Sequence, residues 1–151
     1  MKIKTQLIAI SVLLTGCAVT YQPPTAENLT YSTQHQSDQN SIMAKAKRAL
    51  LLEGFQIQSY DDEAGFISTS FKNWKLSPEE ANCGTTMGLD YLKDNRTKTE
   101  VAFNVVVDGT SLTIRSNIQG EYKPGAVDQN ITLTCASKGV IERQLAIKIE
   151  K

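Results

Sequence analysis

Histidine is nearly absent from this chain: His35 is the only one among 151 residues. Histidine is the side chain best suited to moving protons near neutral pH. A Ser-His or Cys-His catalytic arrangement therefore has a single point to be built around, and His35 sits in a polar N-terminal stretch rather than beside a nucleophile. No Cys-x-x-Cys, His-Glu-x-x-His or glycine-rich phosphate loop occurs, so no catalytic residue, cofactor or metal site is expected. The adjacent acids Asp61, Asp62 and Glu63 lack the alternating ligands of a calcium loop and read as a solvated turn. Charge of either sign is not in excess, with 16 Lys and Arg against 16 Asp and Glu. That balance argues against nucleic acid as a partner, since phosphate binding calls for a basic footprint. The small cluster Lys45, Lys47 and Arg48 reads as a solvated helix face. Long apolar runs are missing as well. The longest, Leu7 to Leu14, would reach only about 12 Å as a helix, against a bilayer core of roughly 30 Å.

What is present begins at the N-terminus. Lys2 and Lys4 precede the short apolar run, and small Gly16 precedes Cys17, the order of regions in a secretory signal. The stretch Leu14-Thr15-Gly16-Cys17 resembles the lipobox of a bacterial lipoprotein signal peptide. The resemblance implies cleavage after residue 16, lipidation of Cys17 with three acyl chains, and stable attachment to a membrane, since each buried methylene contributes about 0.8 kcal/mol. In such signals an aspartate after the cysteine favours inner-membrane retention. Ala18 stands there, which implies the outer membrane with the domain facing the periplasm. Loss of residues 1–16 removes two lysines and no acids, leaving a net charge of −2.

Residues 18–40 are polar, contain Pro23-Pro24 and read as a tether that lifts a domain at 41–151 off the membrane. Asn28 to Gln34 could instead form an edge strand. Apart from Cys17, the cysteines are Cys83 and Cys135. An even pair in an oxidising compartment reads as a disulfide, and the spacing matches no zinc site. Free buried thiols or a reactive pair are the alternatives.

The pattern predicts a helix over about Ser41 to Glu53, with Ile42, Ala46, Ala49 and Leu50 on one face and Gly54 as its stop. Asp38, Asn40 or Ser41 could cap it. Leu51 falls on the opposite, basic side, where it either packs under the tether or is an exposed contact. Strands are expected at Phe55 to Tyr60 and Phe66 to Phe71, and a short helix from Ser77-Pro78-Glu79-Glu80. Val101, Phe103, Val105 and Val107 alternate with Glu100, Ala102, Asn104 and Val106, and after Asp108-Gly109 Leu112, Ile114 and Ile118 alternate with Thr113, Arg115, Asn117 and Gln119. With Asp-Gly as a two-residue turn, Val105 pairs with Leu112 and Phe103 with Ile114. Gly120, Pro124 and Gly125 end that strand. Gln129 to Thr134 is a further strand, and Ser137 caps a last helix carrying Ile141, Leu145 and Ile149, with a strand over 145–149 as the alternative. The sum is an α+β fold: an antiparallel sheet of about four to six strands, two main helices on one face, and one disulfide staple.

The stretch from Ala44 to Ile57, followed by Asp61 to Ile67, places a helix ending in Gly-Phe, a strand, an acidic glycine turn and a second strand in order. It is similar to the helix-grip domains of the C component of the outer-membrane β-barrel assembly machinery, over about 25 residues. Cys83, Cys135 and residues 72–97 lie outside that pattern. The resemblance supplies no catalytic residue. The expected function is a non-enzymatic interaction or accessory module of an envelope complex, docking by strand addition at an exposed sheet edge with residues 72–97 as the variable contact surface. Trp74, Asp90 and Tyr91 are its candidate contacts, aromatics on loops being common binding anchors, although covering a sheet edge is another use for them. The alternative is an envelope small-ligand binder or hydrolase with a site in the 83–91 loop.

Overall fold

The computed structural model describes residues 21–125 and 129–151. Cys17 and residues 1–16, the segment expected to be cleaved, lie outside the described residues. In chain order the elements are β1 (Tyr21–Gln22), β2 (Thr30–Gln34), α1 (Gln39–Leu52), β3 (Ile57–Asp61), β4 (Phe66–Thr69), β5 (Lys72–Asn73), β6 (Ala81–Asn82), β7 (Thr85–Thr86), β8 (Leu89–Asp90), a 3-10 turn (Tyr91–Lys93), β9 (Thr97–Asp108), β10 (Ser111–Tyr122), β11 (Ile131–Thr134), β12 (Ala136–Ser137) and α2 (Val140–Glu150).

The hairpin β9–β10 is the centre of the molecule. Its inner residues Val101, Phe103, Val105, Val107, Leu112 and Ile114 are all buried, and they share one core with Ile42, Met43, Ala46 and Leu50 of α1 and Ile141, Leu145 and Ile149 of α2. The faces are those the alternation implies, but the register differs by two residues. Val107 pairs with Leu112, Val105 with Ile114 and Phe103 with Ser116. Asp108 pairs with Ser111, so the loop is Gly109-Thr110. Gly109 has φ +56°, the left-handed conformation that the first central residue of a primed hairpin turn requires and that glycine adopts without a Cβ clash. A shift of two leaves every side chain on its face, because the strand period is two.

Around this hairpin the sheet is antiparallel and has seven strands among the described residues, in the order β11-β10-β9-β4-β3, with β2 also on β10 and β5 also on β9. The expected four to six strands undercount it because the two positions flanking the hairpin are each shared by two short strands, β2 and β11 on β10 and β4 and β5 on β9. Thr30–Gln34 lies along Ser111–Arg115, and Ile131–Thr134 continues the same side along Gln119–Tyr122. On the far side, the strand expected from 66 to 71 breaks after Thr69 and resumes as β5.

Several boundaries differ from the sequence pattern for local reasons. Helix α1 starts at Gln39, capped by Asp38, whose carboxylate accepts the Ser41 N–H at 3.1 Å. Helix α2 starts after Gly139 rather than at a Ser137 cap, and 145–149 is helical. Residues 77–80 form a single turn, in which the Glu80 carboxylate accepts the Ser77 N–H at 2.9 Å. It does not propagate into a helix: β6 pairs with β12 immediately afterwards, and one turn has no gain to offset the cost of helix nucleation. Gly120 lies inside β10 rather than ending it. The stretch expected as a tether is folded over its described part, residues 21–40, into β1, β2 and the start of α1. Leu51 is exposed, as is Leu52.

Candidate interaction surface

Cys83 and Cys135 form a disulfide across a sequence separation of 52. It ties the irregular insert of residues 72–97 to the β11 side of the sheet, beside the β6–β12 pair. A Cβ on Gly120 would lie 2.9 Å from the Cys135 sulfur and 3.0 Å from the Leu133 Cβ, so only glycine lets the disulfide lie this close to β10. Tyr21 seals the other side. Its hydroxyl accepts the Thr134 N–H at 2.9 Å and lies 3.1 Å from the Thr134 carbonyl and 3.3 Å from that of Cys83. Tyr21, Tyr91 and Tyr122 stack edge to face, with centroids 5.7 and 4.9 Å apart. The Arg96 guanidinium lies 5.0 Å above the Tyr122 ring and pairs with Asp94 at 2.6 Å. The Arg96 side chain and backbone N–H groups hold the Asp94 carboxyl well below the usual carboxylate range. Burial, followed by the nearby Asp94 charge, pushes the Tyr122 hydroxyl up, while Arg96 opposes the shift.

The three candidate contacts do not assemble into a surface. Tyr91 is 3% exposed, inside the tyrosine stack. Trp74 is half-buried against Phe55 and Phe103, at 5.7 and 6.2 Å between centroids. Asp90 caps the 3-10 turn, accepting the Leu92 N–H at 2.9 Å. Each organises the insert, the bland use of an aromatic or acid that the sequence could not separate from a contact. The wide-mouthed concavity beside the disulfide, about 520 Å³, is lined by Tyr21, Gln22, Pro23, Pro24, Asn82 and Thr85 rather than by Asp90 or Tyr91.

The free edges differ in character. β3 is bulged between Ile57 and Ser59 and runs into the acidic turn, where Asp62 is held by Lys47 at 2.7 Å. Bulges and charge are the usual protection of an edge. β2, Thr-Tyr-Ser-Thr-Gln, has neither charge nor proline and pairs with β10 without a bulge. Its other side meets no strand among the described residues. Asn28 to Gln34, compatible in sequence with a tether or an edge strand, forms the edge strand over Thr30–Gln34, with Tyr31 and Thr33 half-buried and Thr30, Ser32 and Gln34 exposed.

A second feature escaped sequence reading altogether. Glu142 is fully buried, and its carboxylate accepts hydrogen bonds from the Ser116 hydroxyl and, at 2.8 Å, from that of Ser137. Asn28 completes the network by donating to the Ser116 carbonyl and accepting the Ser137 N–H, both at 2.6 Å. The network joins the approach to β2, the hairpin and the start of α2. A polar residue one position past Ile141 gives no hint that it points inward.

Between the helices, Lys45, Arg48, Lys148 and Lys151 rim an open groove with Leu52 at its edge. Lys148 is paired with Glu53 at 2.7 Å. No group of three or more metal-ligating side chains occurs among the described residues, and no described helix is long and apolar enough to cross a membrane. No family model matches the chain, and no curated protein matches it.

Proposed function

We propose that this protein is a lipid-anchored module of the bacterial outer membrane. In this reading its domain faces the periplasm and docks on an envelope protein by strand addition, without catalysing a reaction. The observation that supports this best is β2, a regular edge strand without charge, proline or bulge, in a fold whose other long edge, β3, is bulged and acidic. An unprotected edge offers a row of main-chain donors and acceptors to an incoming strand. The lipobox-like Leu14-Thr15-Gly16-Cys17 supplies the anchor. Residues 72–97 contribute shape through the disulfide rather than through Trp74, Asp90 and Tyr91 as contacts.

The test is photocrosslinking in cells, with the photoreactive residue placed at Ser32 on β2 or at Ser59 on β3. A discrete protein adduct from Ser32 and none from Ser59 is expected. Adducts from Ser59 alone, or none from Ser32, would overturn the β2 assignment. The intact mass of the purified chain tests the anchor separately.

A further inference from the structure

We infer that the hairpin tip between β7 and β8 dips into the bilayer surface beside the N-terminal lipid. The inference rests on the anchor at Cys17 proposed above. Three observations carry it.

The first is reach. Four residue steps separate Cys17 from Tyr21, at most about 14 Å of fully extended chain. Tyr21 is no longer tether: β1 is paired to β7, with Tyr21 opposite Thr86 and Gln22 opposite Thr85. Its hydroxyl is bonded across to Thr134. An acylated Cys17 therefore brings the β1–β7–β8 side of the domain to the membrane, rather than leaving it free at the end of a long tether.

The second is exposure. Met87 and Leu89 are 82% and 71% exposed, and Leu89 is paired opposite Thr86 at the tip itself. Met87 has φ +49° and is the only non-glycine with positive φ among the described residues; Gly88 follows at +78°. A two-residue loop with both φ values positive normally carries Asn or Asp before Gly. A large apolar side chain held there, pointing into solvent, costs stability without adding to the core.

The third is charge. Residues 81–89 and 21–26 contain no Asp, Glu, Lys or Arg. The two apolar side chains at the tip can therefore enter the interface without an ion being taken out of water, the nearest charge of the hairpin being Asp90 at its base, opposite Thr85. The basic groove rimmed by Lys45, Arg48 and Lys151 is the competing membrane face, and it would depend on anionic lipid.

The experiment uses the full chain, matured in cells, extracted and reconstituted into phosphatidylcholine vesicles with or without brominated phosphatidylcholine. Leu89→Trp reports on the tip and Leu52→Trp on the helix face, with wild-type Trp74 as background. The expected result is blue-shifted, bromine-quenched emission from Leu89→Trp in phosphatidylcholine alone, and unchanged emission from Leu52→Trp. In the unsubstituted protein, amide exchange at residues 86–89 should slow on reconstitution. A lipidated chain whose Leu89→Trp stays unquenched, or whose quenching appears only at Leu52→Trp once phosphatidylglycerol is added, overturns the tip and leaves the anchor standing. A mass without lipid on Cys17 overturns both.

Discussion

Removing the disulfide offers the most direct test of how the insert is held. Cys83→Ala with Cys135→Ala opens a covalent loop spanning a sequence separation of 52. In the chain-entropy account such a loop contributes about 4 kcal/mol by restricting the unfolded ensemble. The neighbouring contacts do not need the sulfur atoms: β6 still pairs with β12, the Lys138 N–H still donates to Glu80 at 2.9 Å, and Tyr21 still bridges Thr134 and Cys83 main chain. The folded state should therefore survive, with the loss arising in the unfolded chain. Urea unfolding of the double variant should show a stability lower by about 3–4 kcal/mol. The slope against urea should steepen, as a longer open chain exposes more surface. The thermal midpoint should fall by on the order of 10 °C. Coincident midpoints for variant and wild type would refute the reasoning, as would two freely titrating thiols among residues 83 and 135 in the folded wild type.

Glu142→Ala should cost about 2–4 kcal/mol in urea unfolding, because two buried hydroxyls lose their acceptor; Glu142→Gln, which keeps one carbonyl oxygen, should cost less. Gly120→Ala should destabilise by about 1–3 kcal/mol through the clash with Cys135 and Leu133, and an unchanged midpoint would contradict the close approach. Asp94 is held below the usual carboxylate range by Arg96, so its contribution is present above that range and lost as pH falls through the depressed value. Asp94→Asn should flatten the acid side of a plot of unfolding midpoint against pH. Tyr122 has the opposite sign: its raised hydroxyl contributes below the ordinary tyrosine value and fades as pH rises through the shifted one. Tyr122→Phe should remove part of the alkaline loss of stability in the same assay.

The features legible from residues alone are those with a short period or a fixed chemistry. Alternation in 100–119 named the buried face of the hairpin, and the 3.6-residue stripe of Ile42, Ala46, Ala49 and Leu50 named the buried face of α1, because backbone geometry ties both patterns directly to burial. Two cysteines left after Cys17 implied the Cys83–Cys135 bond. Tertiary structure decided what those patterns leave degenerate. The hairpin register could move by two without changing a face; the loop is Gly109-Thr110, with Gly109 at positive φ and Asp108 kept in the strand, whereas a type I′ Asp108-Gly109 turn would need positive φ at Asp108 as well. A polar segment reads alike as linker or edge strand, and only the open side of β10 turned Thr30–Gln34 into β2. Trp74 and Tyr91 could be anchors or packing until Phe55, Phe103, Tyr21 and Tyr122 were placed around them. Glu142 is polar in sequence and fully buried in space, because its hydrogen-bond partners lie 26 and 5 residues away along the chain. Local pattern carries no information about a group that is satisfied only after distant strands and helices have met.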